Sequence, residues 1–251
     1  MIGKIKKFNF KSLLILNTFA LIVTSYFFYS PIYIGIYALS FFISLFTTKN
    51  GLTIIKKFNL FQKIRNEGPI NHYKKSNTPT MGGIFIIIPF LIFLLVISIH
   101  LGSIKLLLLL LFIFGFFLIG FLDDYLSIKK EENTGLKSKE KFILQSIFSI
   151  VFIFFAYEKN LINPLIAVSE SWDINTNIFI FPISFLVLVG MSNSVNLTDG
   201  LDGLATGCSA IVFYGLGTEI LMKDQQELII FSLLCYSMSG ICLGFLKYNN
   251  Y

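Results

Sequence analysis

The stretch that decides the fold is IKLLLLLLFIFGFFLIGFLDDYL, residues 104–126. From Leu106 to Leu122 it carries no charged residue, and it then changes abruptly to the acidic pair Asp123-Asp124. A helix needs about 20 mainly apolar residues to cross the hydrocarbon core of a bilayer. The stretch lacks the alternation of polar and apolar residues that a barrel strand requires, so we predict a membrane-spanning helix.

The composition of the whole chain also indicates a membrane protein. Its 251 residues are 55% hydrophobic and only 14% charged, whereas soluble domains contain about 25% charged residues. This excludes a soluble globule, and it excludes a disordered chain, which needs low hydrophobicity. We predict an all-α, polytopic membrane helical bundle, since only helices or closed barrels satisfy their backbone groups in lipid. The eight predicted spans are Leu13–Tyr29, Pro31–Thr47, Ile84–Leu101, Leu106–Leu122, Phe142–Tyr157, Ile178–Ser192, Ala205–Leu221 and Leu228–Leu246.

Basic residues predict the orientation of the chain. Seventeen of the 20 lysine and arginine residues fall before the first predicted span or after an even-numbered one. Loops rich in lysine and arginine stay in the cytoplasm, so we expect both ends of the chain on that side. The net charge of +6 is therefore explained by the membrane topology of the chain, and we expect no nucleic-acid partner.

Polar residues cluster in the predicted cytoplasmic segments. These segments are 48–83, 123–141, 193–204 and 247–251, and each carries one polar cluster. We interpret residues 1–251 as a single membrane-embedded domain, because no hydrophilic domain stands apart from the spans. Polar side chains scattered by chance would not collect in this way, so we expect one shared site that faces the cytoplasm.

The acidic pair Asp123-Asp124 is the first candidate for chemistry. We expect it at the end of the fourth predicted span, where carboxylates oppose the helix dipole and lie close to the bilayer. The energetic cost of carboxylates at this position favours a functional role for the pair. Carboxylate oxygens are ligands that Mg²⁺ prefers. The alternative is a pair of loop residues that form exposed salt bridges with Lys129 or Lys130.

A second candidate is a set of polar residues spaced by three. The set consists of Asn193, Asn196, Asp199 and Asp202. Residues three apart share one face of a helix, so the spacing predicts a stripe of two amides and two carboxylates. Amides can recognise a base or a sugar, and carboxylates can bind a metal or move a proton. The alternative is a turn rich in Asx and glycine residues, whose side chains serve as caps.

Five groups of residues, in the same order along the chain, resemble one enzyme family. They are Gly68-Pro69 with His72, Lys75 and Thr78–Gly83; Gly120–Tyr125; Gly135-Leu136 with Lys141 and Gln145; Ser192–Ala205; and Gly244–Leu246 with Tyr248-Asn249. On these residues the chain resembles the phospho-N-acetylmuramoyl-pentapeptide transferases (MraY, translocase I), within the glycosyltransferase 4 superfamily. The Thr-Pro-Thr-Met-Gly-Gly run and the asparagine–aspartate motif separate this family from related polyprenyl-phosphate N-acetylhexosamine-1-phosphate transferases, which share the fold and the acidic pair.

The resemblance implies a reaction, its substrates and its setting. Undecaprenyl phosphate would attack the β-phosphate of UDP-N-acetylmuramoyl-pentapeptide, giving lipid I and UMP with Mg²⁺ as cofactor. This is the first membrane step of peptidoglycan synthesis. The enzyme would be a multi-pass protein of the bacterial inner (plasma) membrane with its active site facing the cytoplasm, and a homodimer is one assembly open to it.

The resemblance also implies roles for individual residues. Asp123, Asp124 and Asp199 would be catalytic and would bind the metal. Substrate contacts would come from Lys75, Thr80, Lys141, Asn193, Asn196, Gly200, Leu201, Asp202 and Asn249. Among these, Lys141 resembles a lysine close to the phosphates, and Asn249 resembles part of the uridine pocket.

Two features depart from the family pattern. Asn77 stands where the family has glycine before Thr-Pro-Thr, which is a mild change because asparagine tolerates left-handed backbone. The family also continues past the position of Tyr251 with a further metal-binding aspartate and a histidine loop, so we expect a C-terminally truncated stretch that is inactive alone. The alternatives are a polyprenyl-phosphate N-acetylhexosamine-1-phosphate transferase and a non-catalytic membrane scaffold.

Overall fold

The computed structural model describes residues 31–57, 81–130, 135–169, 172–199, 203–223 and 228–249, together with Ser12 and Ile15. Its helices are α1 (Ile32–Lys57), α2 (Gly83–His100), α3 (Ile104–Lys130), α4 (Ser138–Glu158), α5 (Ile180–Thr198), α6 (Leu204–Met222) and α7 (Ile229–Leu246). In this described part of the chain, seven helices are long and apolar enough to cross a membrane, which confirms the all-α, polytopic class. The first predicted span, Leu13–Tyr29, lies outside the described residues except for Ile15.

Three helices run further than their apolar stretches predict. Helix α1 continues to Lys57, α3 to Lys130 and α5 to Thr198. Hydropathy marks where the hydrocarbon ends, whereas a helix continues for as long as its backbone bonds and side-chain propensities allow. Parts of the predicted segments 48–83, 123–141 and 193–204 are therefore helical.

The connection between α4 and α5 is a β-hairpin, which the hydropathy pattern does not reveal. Strand β1 (Leu165–Ser169) pairs antiparallel with β2 (Trp172–Asn175), and one 3-10 turn then leads into α5. Thr176 closes the base of the hairpin, because its backbone N–H and its hydroxyl both donate to the Pro164 carbonyl, at 2.9 and 2.7 Å. The spans that the structure describes are thus helical, but this connection is not.

The described helices belong to two compact units. The first contains α1, α6, α7, the start of α2 as far as Phe90, and the end of α5 from Asn196. The second contains α3 and α4 with the remaining parts of α2 and α5. Helix α7 forms the core of the first unit, since every residue from Tyr236 to Leu246 is buried.

Two glycines bring the backbones of α1 and α7 close together. A Cβ at Gly240 would collide with the carbonyl oxygen of Tyr37, and a Cβ at Gly244 would lie 2.6 Å from the carbonyl oxygen of Phe41. Helices in lipid associate through close packing of small residues, because lipid tails are as apolar as the side chains they would replace. The spacing of four residues places both glycines on the face of α7 that meets α1.

Serine hydroxyls join α7 to both of its neighbours. Ser44 of α1 donates to the Ile241 carbonyl at 2.8 Å, and Ser239 of α7 donates to the Ala210 carbonyl of α6 at 2.7 Å. Each such bond between membrane helices stabilises the packed state by about 0.6 kcal/mol on average. Hydrogen bonds as well as close packing therefore hold α1, α6 and α7 together.

Helices α3 and α4 form an antiparallel pair in the second unit. Phe112 stacks on Phe152 with ring centroids 4.1 Å apart. Further along, Gly115 leaves room for the Phe148 ring, with which a Cβ would collide. The pairing continues in the same register as far as Asp123, which lies about two turns before the end of α3. It thereby brings the first turn of α4 beside the acidic pair.

Gly240→Ala should lower the free energy of unfolding by about 1–3 kcal/mol, because the added methyl group forces the α1 and α7 backbones apart. Thermal unfolding of the purified protein in detergent measures the effect. Gly35→Ala on α1 is the matched control, since a Cβ there meets no heavy atom within 4 Å. Equal midpoints for the two variants would contradict the close approach of the helices.

Candidate active site

Asp123 and Asp124 lie inside α3 and not at its end. The helix continues to Lys130, which corrects the expectation that the acidic pair terminates the fourth span. Two lysines in the last turn, Lys129 and Lys130, complement the negative end of the helix dipole. Neighbouring residues are turned by about 100° around a helix, so the two carboxylates leave α3 in different directions.

Lys141 forms a salt bridge with Asp123 between α4 and α3. Its Nζ lies 2.8 Å from Oδ2 of Asp123, and the two side chains are 18% and 25% exposed, respectively. The partner thus comes from 18 positions further along the chain, and not from the nearby Lys129 or Lys130 that the sequence suggested. Partial burial strengthens the attraction relative to an exposed pair, because fewer waters screen it.

The other carboxylate oxygen of Asp123 binds the backbone that leads into α4. The N–H of Leu136 donates to Oδ1 at 2.9 Å. Gly135 permits this approach, since a Cβ there would collide with the carbonyl oxygen of Asp123. Lys130 completes the contact by donating from Nζ to the Gly135 carbonyl at 2.8 Å. Gly135 therefore allows the backbone that leads into α4 to pack on the backbone of α3.

The first turn of α4 holds Lys141 in place. The N–H of Lys137, just before the helix, donates to Oε2 of Glu140 at 2.9 Å. The N–H of Lys141 donates to the Lys137 carbonyl at 3.0 Å. An acidic side chain in the first turn also complements the positive end of the helix dipole. Lys141 therefore projects from a capped helical turn and not from an irregular loop.

Gln145, one turn further along α4, makes a second polar connection, and the sequence analysis did not assign it to the site. The residue is only 2% exposed. Its Nε2 donates to Oγ of Ser192 at 3.1 Å, and its Oε1 accepts a bond from Nδ2 of Asn193 at 2.8 Å. The spacing of four residues from Lys141 could have indicated this role, because such residues share a helix face. Helix α4 thus binds α3 through Lys141 and α5 through Gln145.

A backbone carbonyl decides how the two amides are oriented. Nδ2 of Asn193 also donates to the Val189 carbonyl at 2.8 Å. A carbonyl can only accept, so the NH₂ group must face it, and its second hydrogen goes to Gln145. Both N–H donors of Asn193 are therefore used within the protein. Its Oδ1 is the polar atom of the amide that can accept a bond from a ligand.

The remaining described candidates belong to the first unit. Asn196 is exposed near the end of α5, and the exposed Asp199 follows the last helical residue, Thr198. The continuous helical stripe expected over residues 193–202 is therefore not formed. Gly203, with a left-handed φ of 75°, directly precedes α6. Aspartate and glycine favour turns, which explains why the helix ends here although the polar residues are still spaced by three.

Asn249 lies just after α7 and is half-buried. Its backbone N–H donates to the carbonyls of Phe245 and Leu246, each at 3.2 Å, so the end of the helix fixes its position. The other candidates lie outside the described residues; they are Lys75, Thr80, Gly200, Leu201 and Asp202.

The end of the Thr-Pro-Thr-Met-Gly-Gly run is described and begins α2. Met81 has a φ of 65°, a left-handed conformation that is uncommon for methionine. A Cβ at Gly82 would lie 2.8 Å from the ring of Phe245 in α7. This glycine therefore allows the start of α2 to pack against the end of α7.

Comparison with known proteins decides the family. Residues 75–87 match the phospho-N-acetylmuramoyl-pentapeptide-transferase signature 1, and residues 106–251 match the glycosyl transferase family 4 model. A phospho-N-acetylmuramoyl-pentapeptide-transferase of Prochlorococcus marinus (strain MIT 9312) is 80% identical over the whole chain, which covers 70% of that relative. The chain belongs to the phospho-N-acetylmuramoyl-pentapeptide transferase family.

More distant relatives in this family carry the same name. The protein of Prochlorococcus marinus subsp. pastoris (strain CCMP1986) is 58% identical over the whole chain, which spans 70% of it. The protein of Bacillus cytotoxicus (strain DSM 22905) is 40% identical over 84% of the chain, which covers 64% of that relative. The family inferred from the motifs is confirmed, and the two alternatives, a related sugar-phosphate transferase and a scaffold, are not favoured.

A phospho-N-acetylmuramoyl-pentapeptide transferase handles a diphosphate donor, and the acidic pair suits a metal bound by phosphate. Among the described residues, no three His, Cys, Asp or Glu side chains converge as a complete metal cage. Mg²⁺ usually takes one or two protein carboxylates and keeps water and phosphate oxygens as its other ligands. Each oxygen of Asp123 has a lone pair beyond the bond that it accepts, so the donor set fits such an ion.

Gln145→Leu should lower the free energy of unfolding by about 1–3 kcal/mol, because Ser192 and Asn193 lose their buried partner. Thermal unfolding in detergent measures the loss. Ser146→Leu is the matched control, since the exposed hydroxyl of Ser146 donates within its own helix, to Phe142. An unchanged midpoint for Gln145→Leu would show that the amide contacts do not stabilise the packing of α4.

Proposed function

We propose that the protein transfers phospho-N-acetylmuramoyl-pentapeptide from its UDP-linked donor to undecaprenyl phosphate, forming lipid I and UMP. The proposal rests on family membership over the whole chain and on helices that meet the bilayer, where a lipid acceptor is found. It takes residues 1–251 as one membrane-embedded transferase domain. Helices α2 and α5 support this view, because each contributes to both compact units.

The observation that carries the proposal is the contact between Asp123 and Lys141 at 2.8 Å, which lies just beyond the apolar stretches of α3 and α4. Transfer of a phosphoryl group depends mainly on positioning and on neutralising negative charge. The ammonium group of Lys141 has three N–H donors, so its bond to Asp123 leaves donors for phosphate oxygens. Asp123 thereby positions the cation that the diphosphate needs.

In the proposed reaction an oxygen of the acceptor phosphate forms a bond to the β-phosphorus of the donor. The bond from that phosphorus to the bridging oxygen breaks, and its electron pair leaves with UMP. Lys141 would neutralise charge that develops on the departing phosphate. The half-buried salt bridge holds this lysine before substrate arrives, so the transition state needs little rearrangement of the protein.

We assign the cofactor as Mg²⁺, and we propose that one or two of the carboxylates of Asp123, Asp124 and Asp199 hold it together with the donor diphosphate. When bound, the ion would supply charge neutralisation on the donor diphosphate. The described environment of Asp123 supports this assignment, because its oxygens retain acceptor capacity after binding Lys141 and Leu136. Asp199 is exposed to solvent, as a ligand to an ion shared with substrate must be.

We assign recognition of the donor to a further set of residues. Asn193 would accept a hydrogen bond from an N–H or O–H of the donor through Oδ1, since Gln145 and Val189 occupy its own donors. Gln145 then acts as a positioning residue. Further contacts are proposed for Lys75, Thr80, Asn196, Gly200, Leu201, Asp202 and Asn249.

The basic residues around the acidic pair support a cytoplasmic active site in the bacterial inner membrane. Lysines 129, 130, 137, 139 and 141 all lie between the apolar parts of α3 and α4. Such concentrations of positive charge remain on the cytoplasmic side of a membrane. A nucleotide-linked donor is water-soluble and a polyprenyl acceptor is lipid-soluble, so a site at this surface can reach both.

Lys141→Met should lower the turnover number by about a hundredfold, because the diphosphate loses a positioned cation. The assay follows lipid I formation by the native protein from UDP-N-acetylmuramoyl-pentapeptide and undecaprenyl phosphate. Lys139→Met is the matched control, since Lys139 is exposed on the same helical turn, and it should keep wild-type turnover. Equal turnover in both variants would remove Lys141 from the active site.

Chelation of divalent ions with EDTA should abolish transfer, and added Mg²⁺ should restore it. Asp123→Asn should need a higher Mg²⁺ concentration for half-maximal activity, because a neutral amide is a poorer ligand than a carboxylate. Asp173→Asn in the hairpin removes the same charge at a distant position and should leave this concentration unchanged. An Asp123→Asn variant with the wild-type Mg²⁺ requirement would contradict the metal assignment.

A further inference from the structure

The hairpin between α4 and α5 has one apolar face. In the ladder Ile166 lies opposite Ile174, and Trp172 shares that side because alternate strand residues point the same way. These side chains of Ile166, Ile174 and Trp172 are 39%, 42% and 59% exposed, respectively. The opposite side carries Asp173 and Asn175 of β2 together with Leu165 and Ala167 of β1, so it is the more polar of the two. A two-stranded hairpin alone is marginally stable in water, so its apolar face needs a cover.

The hairpin is tethered closely to two membrane spans. It begins at Leu165, shortly after α4 ends at Glu158, and it ends at Asn175, shortly before α5 begins at Ile180. Helix α4 has 21 residues, which rise about 30 Å, the thickness of the hydrocarbon core. Because Lys141 is on the first turn of α4, the hairpin follows the end of the helix at the opposite membrane surface.

Exposed apolar residues continue from the spans into the hairpin. They are Phe154, Phe155 and Tyr157 on α4, and Ile178 and Phe179 just before α5. Side chains of this kind on a membrane-spanning helix are covered by lipid. The apolar face of the hairpin therefore follows directly, along the chain, from surface that the bilayer already covers.

The edges of the hairpin limit how deeply it can enter the membrane. The described sheet has two strands, so each strand has one edge without a partner strand. Hydrocarbon cannot bond the N–H and C=O groups of such edges, whereas water and lipid headgroups can. Tryptophan also prefers this interface, because its ring is apolar and its indole N–H is polar. Both arguments place the hairpin at headgroup depth.

We propose that the hairpin of β1 and β2 is an interfacial anchor that lies on the outer surface of the lipid bilayer. Ile166, Trp172 and Ile174 insert at the level of the headgroups, and the side that carries Asp173 and Asn175 faces water. The occupant of the apolar face is the lipid surface itself. The anchor holds the outer ends of α4 and α5 at a defined depth, on the side opposite to the acidic pair.

Fluorescence of Trp172 tests this proposal, because it is the single tryptophan among the 251 residues. The native protein is reconstituted in vesicles of phosphatidylcholine and phosphatidylglycerol with nitroxide labels at shallow or deep positions of the lipid. Subtracting the spectrum of the Trp172→Phe variant isolates the signal. We expect the shallow label to quench more strongly than the deep one, together with protection from the aqueous quencher acrylamide.

Ile174→Asp on the apolar face should abolish quenching by the shallow label and expose Trp172 to acrylamide. Asn175→Asp is the matched control, because it adds the same charge on the opposite face, and it should retain the wild-type quenching. Free access of acrylamide to the unaltered protein, without quenching by labelled lipid, would overturn the proposal. Protection that rises with the protein-to-lipid ratio, again without lipid quenching, would overturn it in favour of a second copy of the chain.

Discussion

Hydrocarbon offers no hydrogen-bond partner to a peptide group, and the rest of this structure follows from that constraint. The described part of the chain meets it with seven membrane-length helices. Lipid competes with side chains for apolar surface, so hydrophobicity alone does not hold the helices together. The contact of α1 with α7 is stabilised by other means. Gly240 and Gly244 let the two backbones approach, and serine hydroxyls bond across the gap.

The same constraint moves charge to the ends of the helices, and this is how the candidate active site arises. Helix α3 is free of charge from Leu106 to Leu122 and becomes acidic at Asp123, where it leaves the hydrocarbon. The antiparallel packing of α3 and α4 then places Lys141 of α4 beside Asp123. A site made in this way lies within reach of a lipid acceptor and of a water-soluble donor. That is the arrangement that the proposed transfer reaction needs.

Helix α4 links the main polar features of the second unit. Its first turn carries Lys141, its second carries Gln145, and the hairpin follows its far end. The first two contacts bind α3 and α5 by polar groups that are largely removed from water, where hydrogen bonds are stronger and unpaired groups are costly. The amide of Asn193 is oriented by this network before any ligand binds. The preference for a donor group on the ligand that we propose for Asn193 would thus follow from the packing of α4 against α5.

The amino-acid sequence was enough to identify the class of fold, the seven spans that the structure describes and the family, and it predicts an orientation. These properties depend on hydropathy, charge and short motifs, which are local in the chain. The contacts of Asp123 with Lys141, 18 positions away, and of Gln145 with Asn193, 48 positions away, arise only in the folded chain. Those partners depend on how α4 packs between its neighbours, and local patterns do not encode that packing. The end of α5 at Thr198 and the hairpin at Leu165–Asn175 likewise follow from backbone geometry, since the spacing of three suggested a longer helical stripe and hydropathy did not reveal the strands.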